Sequence, residues 1–145
     1  MQIKTDFENM GQIPSKYTCD GEDLAPVLEI LDVPQDAKEL VMIMDDPDAP
    51  MGTWDHWILY NIPADTKIID NNNLPEGVTS GFTSFKRLGW GGPCPPNGVH
   101  RYFFRLYALD KKLNLPEGLS KKEVLNKIEN SVIDKAELIG LYKRI

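Results

Sequence analysis

The stretch Arg101-Tyr102-Phe103-Phe104-Arg105-Leu106-Tyr107-Ala108-Leu109 decides the fold class. It is rich in aromatic and apolar residues and is read as a strand. Side chains repeat every two residues along a strand, so His100, Tyr102, Phe104 and Leu106 share one face. Two further runs have the same character. Glu39-Leu40-Val41-Met42-Ile43-Met44-Asp45 is apolar on both faces, which suits a strand inside a sandwich. His56-Trp57-Ile58-Leu59-Tyr60-Asn61-Ile62 is β-branched and aromatic.

Shorter strands are expected at Ile3 to Phe7, Val27 to Leu31 and Glu137 to Arg144. The turn Val33-Pro34-Gln35-Asp36 follows the second of these. Many short strands between Pro- and Gly-rich turns predict a sandwich. Helical evidence is confined to the C-terminal part. Ser120 with Glu123 fits a capping box. Val124, Leu125, Ile128 and Val132 then fall at helical spacing, predicting a helix from Lys121 to Val132. The polar stretch Lys67 to Ser80 is read as a surface loop.

The 145 residues suit one domain, with neither an internal repeat nor an interdomain linker. A chain of this size buries enough surface to fold without disulfides or metal. Its net charge of −6 argues against nucleic acid as the main partner. The charge is uneven: residues 1–80 hold 4 basic and 16 acidic side chains, and residues 81–145 hold 12 and 6. That pattern is read as two solvated faces, with a self-association surface as the alternative. The N-terminus lacks a signal-peptide pattern, and no run is long and apolar enough to span a membrane. The expectation is a cytoplasmic protein, where thiols are usually reduced; whether Cys19 and Cys94 pair depends on their distance, which the sequence does not supply.

Two proline-rich clusters carry the histidines. The first is Asp45-Asp46-Pro47-Asp48-Ala49-Pro50, followed by Trp54-Asp55-His56-Trp57. The second is Gly91-Gly92-Pro93-Cys94-Pro95-Pro96-Asn97-Gly98-Val99-His100-Arg101-Tyr102. Proline fixes φ and restricts the residue before it, so each cluster is a stiff loop on a buried strand. Leu40, Met42, Met44 and Asp46 share a face, which places Asp46 at the end of an apolar row. A short hairpin loop then brings Asp46, Asp48 and His56 together.

These groups suit recognition of an oxyanion or a polar head group. Imidazole N–H, tyrosine O–H and backbone N–H groups donate. A carboxylate behind an imidazole fixes its tautomer and favours its protonation. Because carboxylates repel anions, Asp46 and Asp48 are expected behind His56 and His100 or facing a ligand's cationic part. The competing readings are a metal site on Asp46, Asp48, His56 and His100, an acyl-transfer centre pairing Cys94 with His100, and two satisfied core histidines. Compact metal-ligand spacing and an oxyanion-hole signature are both missing.

Taken together, these motifs resemble the phosphatidylethanolamine-binding protein family, also called Raf kinase inhibitor-like proteins, and its shorter bacterial and archaeal branch most closely. Lys16-Tyr17-Thr18-Cys19-Asp20-Gly21 and Ala136-Glu137-Leu138-Ile139-Gly140 extend the resemblance over nearly the whole chain. It implies an all-β fold with minor α: an antiparallel Greek-key sandwich of two sheets with a short helix near the C-terminus. It also implies an anion pocket for phosphate or a phosphorylated head group, lined by Asp46, Asp48, His56, His100 and Tyr102. Pro50, Trp54, Cys94, Pro95 and Pro96 would shape its mouth.

The implied role is binding rather than catalysis, without a cofactor, with a kinase or protease as a possible inhibited partner and a homodimer as a possible assembly. The alternatives are inhibition through surface loops, Asp70 to Ser80 among them, independently of the pocket, and a Cys94-dependent hydrolase. The chain departs from the family pattern at Ala25-Pro26, where Ser-Pro is common. The link Asn97-Gly98-Val99 is short, so one pocket wall should be reshaped. The C-terminal pattern is a strand, so no residue of the helix that flanks the pocket in eukaryotic members is carried over.

Overall fold

A computed structural model describes residues 1–145. Nine strands and one helix follow one another as β1 (Gln2–Lys4), β2 (Gly11–Gln12), β3 (Leu28–Leu31), β4 (Glu39–Asp46), β5 (Trp54–Pro63), β6 (Ile68–Ile69), β7 (Thr79–Ser80), β8 (His100–Leu109), α1 (Lys121–Ile128) and β9 (Val132–Tyr142). They form a three-stranded sheet ordered β1-β3-β6 and a six-stranded sheet ordered β2-β9-β8-β4-β5-β7. Strand β8 returns by a long connection to lie beside β4, giving the order β8-β4-β5-β7 of a Greek key. The fold is thus all-β with minor α, as expected. One pairing departs from an antiparallel sandwich: β2 runs parallel to β9, with Gly11 opposite Gly140.

The main core fills the space between the sheets. Ile3, Leu28, Ile30 and Ile69 of the small sheet meet Leu40, Met42, Met44, Tyr102, Phe104 and Leu106 of the large one. The opposite face of β4 and β5, through Val41, Ile43, Ile58 and Tyr60, packs beneath α1 on Val124 and Ile128. Strand β4 is therefore buried along its whole length, which is why its sequence shows no polar alternation.

Several boundaries differ from the sequence reading. The helix ends at Ile128 rather than Val132, because Val132 pairs with Leu109 and opens β9. Strand β9 then runs beside β8 from Val132 to Tyr142, not from Glu137 to Arg144. The stretch Lys67 to Ser80 is more than a loop. Ile68–Ile69 pairs with β3 and Thr79–Ser80 with β5, short edge strands fixed by their neighbours rather than by their own propensity.

Two irregularities of β5 matter for the site. Between Leu40 and Met42 the partner residues jump from Ile62 to Leu59, and between Met44 and Asp45 they jump from Trp57 to Asp55. Each jump inserts one extra residue in β5, at Asn61 (φ 56°) and at His56. A bulge resets which face the following side chains take. Trp57 and His56 consequently both turn to the inner side, while Asp55 stays on the outer side with Asp45.

Candidate functional site

The site is a cavity of about 320 Å³ at the end of the large sheet where β4 finishes and β5 and β8 begin. Asp46 is the last residue of β4 and is buried. Its Oδ2 accepts from His100 Nδ1 at 2.7 Å, and its Oδ1 accepts the Asp48 backbone N–H at 2.8 Å. One carboxylate thereby orients an imidazole and shapes the turn that leads to Pro50.

His56 is held differently from the expectation. Its Nδ1 donates to the Gly91 carbonyl at 2.6 Å, and the Gly91 N–H donates back to the His56 carbonyl. The second proline cluster, not an aspartate, fixes this ring. Burial pushes the imidazole below its ordinary value, opposed by the Gly91 hydrogen bond and the charges of Asp46, Asp45 and Asp55. Gly91 is required here, since a Cβ would overlap the Phe85 ring.

Asp48 corrects the expectation for the lining. It does not face the cavity and holds neither histidine. Its carboxylate accepts from the Arg101 backbone N–H at 2.9 Å and from the guanidinium at 2.9 and 2.8 Å. Those Arg101 bonds hold its pKa at about 2. Asp48 therefore clamps the first strand residues of β8 from outside the cavity.

Tyr102 lies between the two imidazoles. Its ring centroid is 5.3 Å from that of His56, edge-on, and 6.4 Å from that of His100, stacked. The side chain is fully buried, and its hydroxyl makes no hydrogen bond of good geometry, although the Asp46 carboxylate and the Cys94 backbone lie close enough to act on it. Burial, then the charge of Asp46, raises its pKa above the ordinary phenol value. A buried unpaired hydroxyl costs free energy, about 1–3 kcal/mol, unless something meets it. Tyr102 lines the cavity, so a ligand can supply that partner.

The mouth is apolar. Pro50, Trp54, Cys94, Pro95 and Pro96 all line it, as expected from their motifs. Ala49, Met51 and Phe85 also line it and were not expected. Phe85 has no local signal. It arrives because the Ser84 N–H donates to the Asp55 carbonyl and the Asp55 N–H to Ser84 Oγ. Its ring then packs edge-on against both Trp54 and His56.

The structure decides the pairing that the sequence left open. Cys19 and Cys94 form a disulfide across 75 residues, with Cα atoms 5.4 Å apart. The two stretches meet because the Cys19 N–H donates to the Pro93 carbonyl. This also removes the Cys94-dependent hydrolase, since a disulfide sulfur is not the thiolate that such a reaction needs. The four residues of the competing metal reading, Asp46, Asp48, His56 and His100, do not come together. Asp48 is turned away, and no three His, Cys, Asp or Glu side chains converge as metal ligands.

Comparison with known proteins follows this geometry. The family description phosphatidylethanolamine-binding protein matches residues 3–143. A UPF0098 protein of Methanothermobacter thermautotrophicus is 51% identical, with 99% of each chain covered. Another from Aquifex aeolicus is 48% identical over 95% of this chain and 85% of its own. Among solved structures, the phosphatidylethanolamine-binding protein homolog CT736 of Chlamydia trachomatis superposes with a TM-score of 0.94 at 36% identity, covering 99% of this chain and 97% of that one. Escherichia coli YbcL, described as a member of the mammalian family, gives 0.91 at 27% identity, covering 99% and 98%. With two stiff proline loops, a buried Asp–His pair and a match from Ile3 to Lys143, this chain belongs to the phosphatidylethanolamine-binding protein family, in its prokaryotic branch.

Proposed function

We propose that this protein binds a small oxyanion, phosphate or a phosphorylated head group, and acts by binding rather than by catalysis. One observation carries the reading: the Tyr102 hydroxyl is buried without a well-formed hydrogen bond in a cavity that both imidazoles also line. Each ring has its Nδ1 tied to the protein and no protein partner on Nε2. Three polar atoms are thus left for a ligand, beside the apolar walls of the mouth.

Phosphate titration followed by imidazole NMR tests this. Shifts at His56 and His100 that saturate by millimolar phosphate are expected, and silent imidazoles would sink the reading. His100→Ala should abolish the response while the far-UV spectrum stays that of a folded sandwich.

A regulatory role, Raf kinase inhibitor-like, with a kinase or protease as partner belongs to the same proposal. Met51 stands 95% exposed on the cavity rim, where an occupied pocket and a docked protein would meet. Loss of a captured partner on His56→Ala would tie the pocket to the interaction, and retention would assign the interaction to loops elsewhere. Cytoplasmic residence and a homodimer are likewise proposed. No helix is long and apolar enough to cross a membrane. A disulfide is unusual in a reducing compartment, so thiol trapping in intact cells is the direct check on location.

A further inference from the structure

We propose that the Cys19–Cys94 disulfide is a site of reversible thiol–disulfide exchange with a small dithiol protein, and that its reduction loosens one wall of the cavity and lowers the affinity for an anion. This rests on the anion-pocket reading and assigns that pocket a regulation.

The bridge is placed where exchange chemistry can reach it. Both cysteines are exposed, and neither belongs to the apolar core. Exchange needs a thiolate to approach a sulfur, so accessible disulfides are the labile ones.

The two ends of the bridge are held unequally. Cys19 sits in a firm stretch. Thr18 beside it is fully buried, and its Oγ1 donates to the Ser15 carbonyl at 2.8 Å. Asp20 on the other side accepts from the Tyr142 hydroxyl at 2.7 Å and from Arg144 Nε at 3.2 Å. The chain that leads to Cys94 is also seated. Gly91 exchanges hydrogen bonds with His56, and Gly92 lies so close to Asp23 and the Tyr17 carbonyl that no Cβ fits. The Pro93 carbonyl accepts the Cys19 N–H at 3.1 Å. Beyond Pro93 that hold ends. From Cys94 to Val99 the backbone makes no hydrogen bond to other backbone groups, and only Pro95 in this stretch is buried. Regular pairing returns at His100, where β8 begins. The disulfide thus fastens a loosely held stretch to a firm one.

That loosely held stretch is a wall of the cavity. Cys94, Pro95 and Pro96 line it, and the Cys94 backbone lies close enough to act on the Tyr102 hydroxyl. Opening the bridge frees the wall without cutting into the core. An anion must then order the wall as it binds, which weakens affinity by about tenfold or more.

The exchange balances with a dithiol. A thiolate of the partner attacks Cys19 Sγ, since Cys19 does not line the cavity. The S–S bond breaks, and Cys94 leaves as a thiolate that takes up a proton. The partner's second thiol then attacks the mixed disulfide and releases Cys19. The partner ends as a disulfide, having given up two electrons and two protons in all.

The test uses the full oxidised chain without denaturant, with thioredoxin as the dithiol protein. Alkylation followed by mass measurement should find Cys19 and Cys94 both free after exposure to thioredoxin, while the far-UV spectrum stays that of the folded protein. Inorganic phosphate, titrated against the His56 and His100 resonances, should bind the reduced protein about tenfold or more weakly than the oxidised one. Reoxidation should restore the affinity. The Cys19→Ser, Cys94→Ser double variant should bind phosphate as the reduced protein does and should not respond to thioredoxin. Thiols that appear only in urea, or a chain that unfolds when reduced, would make the bridge a structural tie and overturn the proposal. Equal phosphate affinity of the two forms would also overturn it and leave the anion pocket standing. Silent imidazoles in both forms would remove the anion reading and this regulation with it.

Discussion

Asp46 and Asp48 are separated by one proline, and the structure gives them opposite duties. Asp46 turns inward because it continues the face of Leu40, Met42 and Met44, and it meets His100 there. Asp48 lies beyond Pro47 and closes on Arg101 outside the cavity. Its folded pKa of about 2 lies below the unfolded value near 3.9. A depressed carboxylate stabilises the fold fully above the unfolded pKa, and that contribution is lost as pH falls towards the folded one. Acid unfolding followed by circular dichroism should therefore lose part of its steepness between about pH 4 and pH 2 in Asp48→Asn. An unchanged acid transition would show that the Arg101 clamp has no bearing on stability. Asp46 was legible from alternation alone, as was the shared face of His100 and Tyr102. The role of Asp48 was not, because Arg101 is exposed and sequence spacing gives no sign that its guanidinium folds back over the turn.

At the scale of elements, β5 carries the decisive irregularity. Strict alternation would put His56 on the same side as Ile58, under α1. The bulge against Met44 and Asp45 returns it to the cavity and leaves Asp55 outside, 2.7 Å from Lys121 Nζ. Lys121 also reaches Asp45 at 2.9 Å, so the first turn of α1 is tied to the outer face of the sheet. The start of that helix was legible because capping is local chemistry. The Glu123 N–H donates to Ser120 Oγ, and the Ser120 N–H donates to Glu123 Oε1. Ser120→Ala should cost about 1 kcal/mol in urea unfolding and leave the affinity for phosphate unchanged. A drop in affinity would mean that α1 is coupled to the pocket on the far face. The helix end was not legible, since Val132 satisfies a helical period and a strand pairing equally well, and β8 decides between them.

For the whole molecule the disulfide is the longest covalent tie. It fastens the wall formed by Cys94, Pro95 and Pro96 to the stretch that carries Cys19. Closing a loop of 75 residues restricts the unfolded chain by about 4 kcal/mol in the chain-entropy account. The Cys19→Ser, Cys94→Ser double variant should unfold at clearly lower denaturant than the oxidised protein and resemble the protein reduced by a dithiol. It should also bind phosphate more weakly, because the wall then rests on backbone contacts alone. Equal stability of variant and oxidised protein would show that the bridge adds nothing to the fold.

The sequence by itself determined the sandwich, the buried β4 and β8, the two stiff proline turns and the inward row ending in Asp46, His100 and Tyr102. Each follows from a two-residue period or a proline constraint acting within a few neighbours. Only the tertiary structure decided the rest. It turned His56 inward by a bulge, moved Asp48 onto Arg101, gave His56 to the Gly91 carbonyl, brought Phe85 to the mouth and joined Cys19 to Cys94. All of these depend on which strands pair and in what register. That choice is made by burial summed over the whole core, with no trace in the local run of residues.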